Sequence, residues 1–273
     1  MYEMDPARIH KENERAWDLV ARSKYSHDVE SDVAFLASGR TSLMSHELRL
    51  LGELGSWCGR AIHLQCSHGL DALSLWKLGA REIVGVDISV LMLALAQQKA
   101  QLLGAPAKWI HKNVLDAPSD LNGTADLMYT GKGALPWVTD LRRWAAVIER
   151  LLKPGGLAFI FEGHPLNWVW EPDASEYRLR GDGGDYFAAE PRANRDFPAS
   201  GLRQTASDQS PPCAIEKQWT LGEIVTTLTE VGLRLERLEE HPDQFWPLFR
   251  GIPEPLASRL PHTFALLMRK ATP

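Results

Sequence analysis

The stretch Ala61-Ile62-His63-Leu64-Gln65-Cys66-Ser67-His68-Gly69-Leu70-Asp71-Ala72-Leu73-Ser74 decides the fold. Residues Ala61 to Gln65 read as a short strand bounded by small and polar residues. From about Gly69 to Leu78 a helix follows, with Leu70, Leu73 and Trp76 spaced for burial and Gly79 as its stop. Glu82-Ile83-Val84-Gly85-Val86-Asp87 is then a second strand ending on a carboxylate. Ser89 can cap the next helix, which ends near Gly104-Ala105-Pro106. Strand, helix, strand, helix in this rhythm is the pattern of a parallel sheet covered by helices.

The rhythm continues downstream. Lys108 to His111 and Ala125 to Thr130 read as strands three and four. A helix from Asp140 to Leu152 places Leu141, Trp144, Ile148 and Leu151 on one stripe. Lys153-Pro154-Gly155-Gly156 then predicts a turn into strand five, Leu157 to Phe161. Between Pro165 and Gln218 the alternation breaks into a segment with Gly181-Asp182-Gly183-Gly184, several prolines and the aromatics Trp168, Trp170, Tyr177, Tyr186 and Phe197. That segment is too aromatic for a disordered linker and too irregular for a sheet unit. Order returns with the capping box Thr220-Leu221-Gly222-Glu223, a helix ended by Gly232, and strands six (Leu233 to Leu238) and seven (Thr263 to Arg269). Upstream, a helix begins at Asp5-Pro6 and carries Ile9, Ala16 and Val20, and a second fits Ser45 to Leu54. The expected division is a helical lid and linker over 1–55, a core over 56–164 and 219–273, and an inserted cap over 165–218.

Composition narrows the function classes. Lys and Arg total 30 against 35 Asp and Glu, a net charge of −5, which argues against a dedicated nucleic-acid binder. Cys58, Cys66 and Cys213 are irregularly spaced, so neither a disulfide framework nor a metal site is expected. No apolar run is long enough for a bilayer, and Met1 to Lys11 is too polar for a signal peptide, so the expected location is the cytoplasm.

The order of residues 61–162 resembles the class I S-adenosylmethionine-dependent methyltransferases. His63-Leu64-Gln65-Cys66 resembles a bacterial subgroup of them, as do Thr41-Ser42-Leu43, Glu47-Leu48, Glu162-Gly163-His164-Pro165 and Trp219 to Val225. The resemblance implies an α/β, Rossmann-like fold: a seven-stranded, mostly parallel sheet with helices on both faces, an antiparallel last strand, and the cap after strand five. It also implies S-adenosylmethionine as cofactor and S-adenosylhomocysteine as product. The family's loop is acidic-x-Gly-x-Gly-x-Gly; here His63, Gln65, Ser67 and Gly69 occupy the marked positions. A nucleotide-dependent oxidoreductase would carry Gly-x-Gly-x-x-Gly, absent from Gln65 to Leu70, and would lack the antiparallel strand. A non-catalytic binding protein with a degenerate site is the other alternative.

Candidate site residues follow. Gln65, Cys66, Ser67 and Gly69 should pass beneath the cofactor's methionine part, with Cys66 itself a small apolar residue. Asp87, 18 residues beyond Gly69, can accept from both ribose hydroxyls or simply cap the next helix. Ile88 and Met92 can cover the adenine. By resemblance, Asn113-Val114 would bind the adenine edge, although a plain turn asparagine fits equally. Thr130 and Gly131 face the methyl-transfer position, where this chain lacks the Asn/Asp-Pro-Pro-Tyr/Phe of enzymes acting on base or amide nitrogens; Lys132 reads as a solvated loop lysine. Tyr25 is a lid contact, and Trp17 reads as helix packing. His164 and His241, each just after a strand, are candidate bases or loop-packing histidines. The expected partner is a small-molecule methyl acceptor, with neither nucleic acid nor membrane, and the chain is expected to be a monomer or homodimer.

Overall fold

In the computed structural model, which describes residues 5–22, 28–172, 174–181, 184–188, 190–194, 197 and 214–272, the expected strand–helix units form. Helices α1 (Pro6–Ala21), α2 (Val29–Ala37), α3 (Ser45–Leu51) and α4 (Leu54–Trp57) precede β1 (Arg60–Leu64). Then come α5 (Leu70–Lys77), β2 (Glu82–Asp87), α6 (Val90–Leu103), β3 (Ala107–His111), β4 (Ala125–Gly131), α7 (Leu141–Leu151) and β5 (Leu152–Gly163). The chain closes with β6 (Arg192–Asn194), β7 (Ala214–Glu216), α8 (Leu221–Glu230), β8 (Leu233–His241), α9 (Glu254–Ala257) and β9 (Thr263–Lys270).

Seven strands make one sheet in the order β3-β2-β1-β4-β5-β9-β8. The pairs from β3 to β5 are parallel, whereas β9 runs antiparallel to both β5 and β8. This is the inserted antiparallel strand that separates a methyltransferase sheet from the oxidoreductase alternative. The chain winds outward from β1 to β3, then restarts at β4 on the other side of β1. Between β1 and β4 lies the switch point, the crevice where open α/β sheets bind ligands at the carboxyl ends of their strands.

Both faces of the central strands β1, β2, β4, β5 and β9 are buried, as near-continuous apolar strands require. On one face Ile62, Val84, Met128 and Ile160 pack against Trp144, Ile148 and Leu151 of α7 and Ile224 and Leu228 of α8. On the other, Ala61, Ile83, Leu127 and Phe159 pack against Leu51, Leu54, Ala72 and Leu75. The Asp140 side chain caps α7 at Arg143 N, and Thr220 with Glu223 forms the expected capping box of α8.

Three local readings change. The helix expected over Ser45 to Leu54 ends at Leu51, because Gly52 (φ +60°) breaks it before the short α4. The turn expected at Lys153 to Gly156 is absorbed into β5, where Leu152 already pairs with Ala125 ahead of a register shift. Helix α2 was not foreseen; Asp28 caps it at Ser31 N, and Glu30 and Asp32 stand in its positive first turn. Among the described residues no helix is long and apolar enough to cross a membrane.

Candidate functional site

The loop after β1 keeps a glycine-type backbone without the glycines. Gln65 has φ +57°, Ser67 φ +48° and Gly69 φ +79°, so all three alternate positions lie in the left-handed region. For the two non-glycine residues this costs about 1–2 kcal/mol each. Hydrogen bonds hold the loop there: Cys66 N donates to Val86 O at 3.2 Å, Gly69 N to Cys66 O at 2.9 Å, and Ser67 N to Asp87 Oδ2 at 2.8 Å. Gly69 is needed for close packing as well, since a Cβ there would stand 2.7 Å from Ala96 Cβ and 2.8 Å from Trp109 Cη2. Helix α5 begins directly after it with no side chain capping its N-terminus. Cys66 is buried, and burial, with the charge of Asp87 adding to it, pushes its thiol well above the usual range, so it is an inert thiol.

Asp87 closes β2 as expected, and its carboxylate joins two loops. Its Oδ2 holds Ser67 N and its Oδ1 accepts from Ser89 N at 2.9 Å. Burial raises its pKa to about 6, against the opposing effect of backbone N–H groups from Ser89, Ser67 and Ile88. It is not the cap of α6: the Ser89 hydroxyl takes that place, accepting from Met92 N. Met92 is fully buried and Ile88 half-buried beside this carboxylate. Asn113 turns its Oδ1 back onto Leu115 N at 3.0 Å, the local turn of the alternative reading, and Val114 is buried in the core.

Helix α1 lies over this side. Asp18 Oδ1 accepts from the Ser89 hydroxyl at 2.6 Å and from Leu91 N at 3.3 Å, placing a carboxylate on the positive end of α6. Glu14 lies 3.2 Å from His111 Nε2, which also lies 2.8 Å from Ile88 O. Further along the site, Asn13 exchanges hydrogen bonds with the backbone of Ile215, and Trp17 packs edge-on against Trp137 and Phe197. Trp17 therefore ties α1 to the segment after β4. Tyr25 lies outside the described residues.

Across the switch point, the loop after β4 is held from three directions. The Gln65 amide N–H donates to Ala134 O at 2.6 Å, bridging the ends of β1 and β4. Glu162, the penultimate residue of β5, accepts from Gly133 N and, at 2.8 Å, from Leu135 N. Lys132 is not a solvated loop lysine. Its Nζ lies 2.9 Å from Ser42 O, 3.1 Å from Asp71 Oδ1 and 3.2 Å from Glu47 Oε2, and its side chain is 12 % exposed. Two buried carboxylates required a counter-ion, which no feature local to Lys132 announces. Tyr129 completes the cluster by donating its hydroxyl to Glu47 Oε1 at 2.5 Å, and Ser42 donates to Asp71. Thus the separate motifs around Ser42, Glu47 and Asp71 meet in one buried network beneath the crevice.

Gly131 has no room for a side chain, since a Cβ would fall 2.1 Å from Phe161 O. Thr130 Oγ1 and Gln65 Oε1 are buried polar atoms without a hydrogen-bond partner among the described residues. Unpaired acceptors at the ends of β1 and β4 suit a ligand carrying N–H or O–H groups.

The two histidines differ. Both ring nitrogens of His164 are engaged: Nδ1 accepts from Leu166 N at 3.1 Å, and Nε2 lies 2.8 Å from Glu240 Oε1. His241 stacks on His46 with centroids 3.7 Å apart, and its Nε2 is buried without a hydrogen bond. Burial lowers the pKa of both histidines. Beyond His164, the described part of the insertion packs over this end of the sheet. The Tyr177 hydroxyl lies 2.9 Å from Ala257 O and 2.8 Å from His262 Nε2, and Trp170, tilted, and Phe249, edge-on, pack against its ring. Gln218 Nε2 donates to Tyr186 O, and the Tyr186 hydroxyl accepts from Leu221 N.

Comparison with known proteins agrees with this geometry. Residues 61–156 match a family model described as a methyltransferase domain. A ribosomal protein L11 methyltransferase of Photobacterium profundum is 32% identical over 95 residues, a match spanning 35% of this chain and 30% of that protein. Among solved structures, an S-adenosylmethionine-dependent methyltransferase from Mesorhizobium loti superposes with a TM-score of 0.60 at 20% identity, covering 89% of this chain and 100% of that one. A geranyl diphosphate C-methyltransferase from Streptomyces coelicolor, in complex with S-adenosyl-L-homocysteine, gives 0.60 at 15% identity, covering 98% and 100%. The fold is that of the class I S-adenosylmethionine-dependent methyltransferases.

Proposed function

We propose that this chain is an S-adenosylmethionine-dependent methyltransferase acting on a small molecule, of the bacterial subgroup marked by His63-Leu64-Gln65-Cys66. The observation that carries the reading is the left-handed loop at Gln65, Ser67 and Gly69, locked to the buried Asp87 at the switch point of the sheet. A chain that had abandoned the cofactor would have no reason to hold two non-glycine residues in strained conformations beside a buried carboxylate.

In this reading Asp87 accepts from the ribose hydroxyls with lone pairs not used by Ser67 and Ser89. Ile88, Met92, Asn113 and Val114 border the adenine, the first two as apolar cover. Gln65, Cys66, Ser67, Gly69, Thr130 and Gly131 surround the methionine part, where Gln65 Oε1 and Thr130 Oγ1 offer unpaired acceptors. The cofactor, when bound, supplies an electrophilic methyl group on a sulfonium sulfur. The protein's task is to hold the acceptor in line and to exclude water. Helix α1 and the described part of the segment after β5 serve that exclusion. If the acceptor must lose a proton, His241 is the candidate base, its Nε2 making no hydrogen bond and lying 3.6 Å from Glu239 Oε2, and the engaged nitrogens of His164 make that residue a support for the cap.

A small acceptor is favoured because α1 and the described part of the insertion meet over the crevice, through Asn13 with Ile215 and Trp17 with Phe197. The L11 methyltransferase likeness favours a protein acceptor instead, but it spans about a third of each chain. Incubation with methyl-labelled S-adenosylmethionine and a size-fractionated cell extract separates the two: label in the low-mass fraction supports our reading, and label on protein overturns it.

A further inference from the structure

Glu162 is used by nothing in that reading, yet it is a carboxylate only 2 % exposed at the carboxyl end of β5. Both its oxygens serve the loop after β4, Oε1 holding Gly133 N and Oε2 holding Leu135 N. The loop needs such an anchor. Lys132 stands at φ +57° and Gly133 at φ +96°, two consecutive left-handed residues, the first of them not a glycine. Its remaining ties are Lys132 N to Phe161 O at 2.7 Å, the Lys132 ammonium in the Asp71–Glu47 cluster, and the Gln65 amide on Ala134 O. Remove the carboxylate and two N–H groups lose their acceptors in a buried place.

We propose that Glu162 is a positioning residue which, in its ionised form, holds residues 132–135 as the wall of the cofactor crevice facing Gln65. The inference rests on the cofactor reading above. The reason ionisation matters is stoichiometric: a carboxylate accepts at both oxygens, whereas a carboxylic acid turns one of them into a donor facing a backbone N–H. Burial raises the Glu162 pKa to about 7, so the wall would loosen within the physiological range. The titratable residues on the elements flanking the end of β5 are Tyr129 and Lys132 on β4 and its loop, with Glu47 on α3 and Asp71 on α5 bound to Lys132, His164 at the end of β5, Glu240 and His241 on β8, and His262 before β9. None of them hydrogen-bonds or ion-pairs with Glu162 among the described residues. Its protonation is therefore set by burial and by the N–H groups of the loop and of Gly163.

The test is S-adenosylhomocysteine binding by calorimetry on the whole chain, from well below to well above pH 7, for the wild type and Glu162→Gln, together with hydrogen exchange of the Gly133 and Leu135 amides. We expect wild-type affinity to rise about tenfold through pH 7. Glu162→Gln should bind weakly with that rise gone, and the two amides should lose protection in the variant and in acid-treated wild type alike. Asp87 adds its own change nearer pH 6, which both proteins share, so their difference isolates Glu162. If Glu162→Gln keeps the wild-type pH profile, or the two amides stay protected in wild type below pH 7, the proposal is overturned. Should Glu162→Gln fail to fold, exchange in the wild type still decides. Failure of the ligand to bind wild type at any pH would overturn the cofactor reading instead, leaving the exchange measurement to judge the clamp.

Discussion

Replacing Asp87 by Asn should separate cofactor binding from stability. In the fold, the ionised carboxylate is expensive: burial raises its pKa from 3.8 to about 6. About 2 pH units correspond to roughly 3 kcal/mol. Because the folded pKa is raised, the penalty is absent below the unfolded value and in full force above about 6. At neutral pH, Asp87→Asn removes this penalty. Against that, the new amide nitrogen faces either Ser67 N or Ser89 N, donor against donor, costing about 1–3 kcal/mol. The two effects nearly cancel, so urea denaturation at neutral pH should show a change of no more than about 1–2 kcal/mol. Binding has no such compensation. Losing one charge-assisted bond to a ribose hydroxyl costs about 1.5–3 kcal/mol, a Kd for S-adenosylhomocysteine about 10- to 100-fold weaker. Calorimetry and urea denaturation on the same preparation would measure both. An unchanged Kd would refute the ribose assignment; a Kd that worsens only as far as the protein unfolds would refute the separation.

Ser67→Gly relieves a left-handed residue at φ +48°. The relief of about 1–2 kcal/mol exceeds the roughly 0.5–1 kcal/mol entropic cost of a glycine, so the urea midpoint should rise slightly. Lys132→Met strands Asp71 and Glu47 together in a buried site and should cost about 3–5 kcal/mol, read by the same denaturation. With the pKa values of Asp87 raised to about 6 and Glu162 to about 7, both groups bind protons more tightly folded than unfolded. The buried histidines, lowered by burial, act in the opposite sense and alike in wild type and Glu162→Gln, so the stability of wild type relative to Glu162→Gln should fall as pH rises through that interval. Asp32 and Glu239, lowered to about 2 by their partners, act only at far lower pH and leave the interval untouched. Asp18→Ala takes an acceptor from the Ser89 hydroxyl and Leu91 N, and hydrogen exchange should show α1 opening more often, by about 1–2 kcal/mol.

Local signals in the sequence carried the order of elements. Apolar periodicity, the caps at Asp5, Asp140 and Thr220 and the stop at Gly104 act over a few residues, and each stands where its chemistry placed it. Asp87 was legible for the same reason, as the last residue of a strand whose own pattern is clear. Helix α2 was legible too, had the Asp28 cap and the acidic first turn been weighed.

Other features are decided by partners distant in the chain. Residues Gln65 and Ser67 look wrong for a glycine loop. Their left-handed backbone is imposed by Asp87 and by Val86 O, on a strand some twenty residues away. Lys132 reads as a surface residue until α3 and α5 bring Glu47 and Asp71 against it. Glu162 reads as the end of an apolar strand, and only the parallel pairing of β4 with β5 puts the N–H groups of Gly133 and Leu135 within its reach. By itself, then, the sequence determined the strand–helix order and the carboxylate at the end of β2, because those depend on neighbouring residues. The conformation of the cofactor loop, the buried charge network beneath it and the clamp on its far wall were decided only by the tertiary structure, because a charge or a strained backbone is stabilised by whatever the strand order sets beside it.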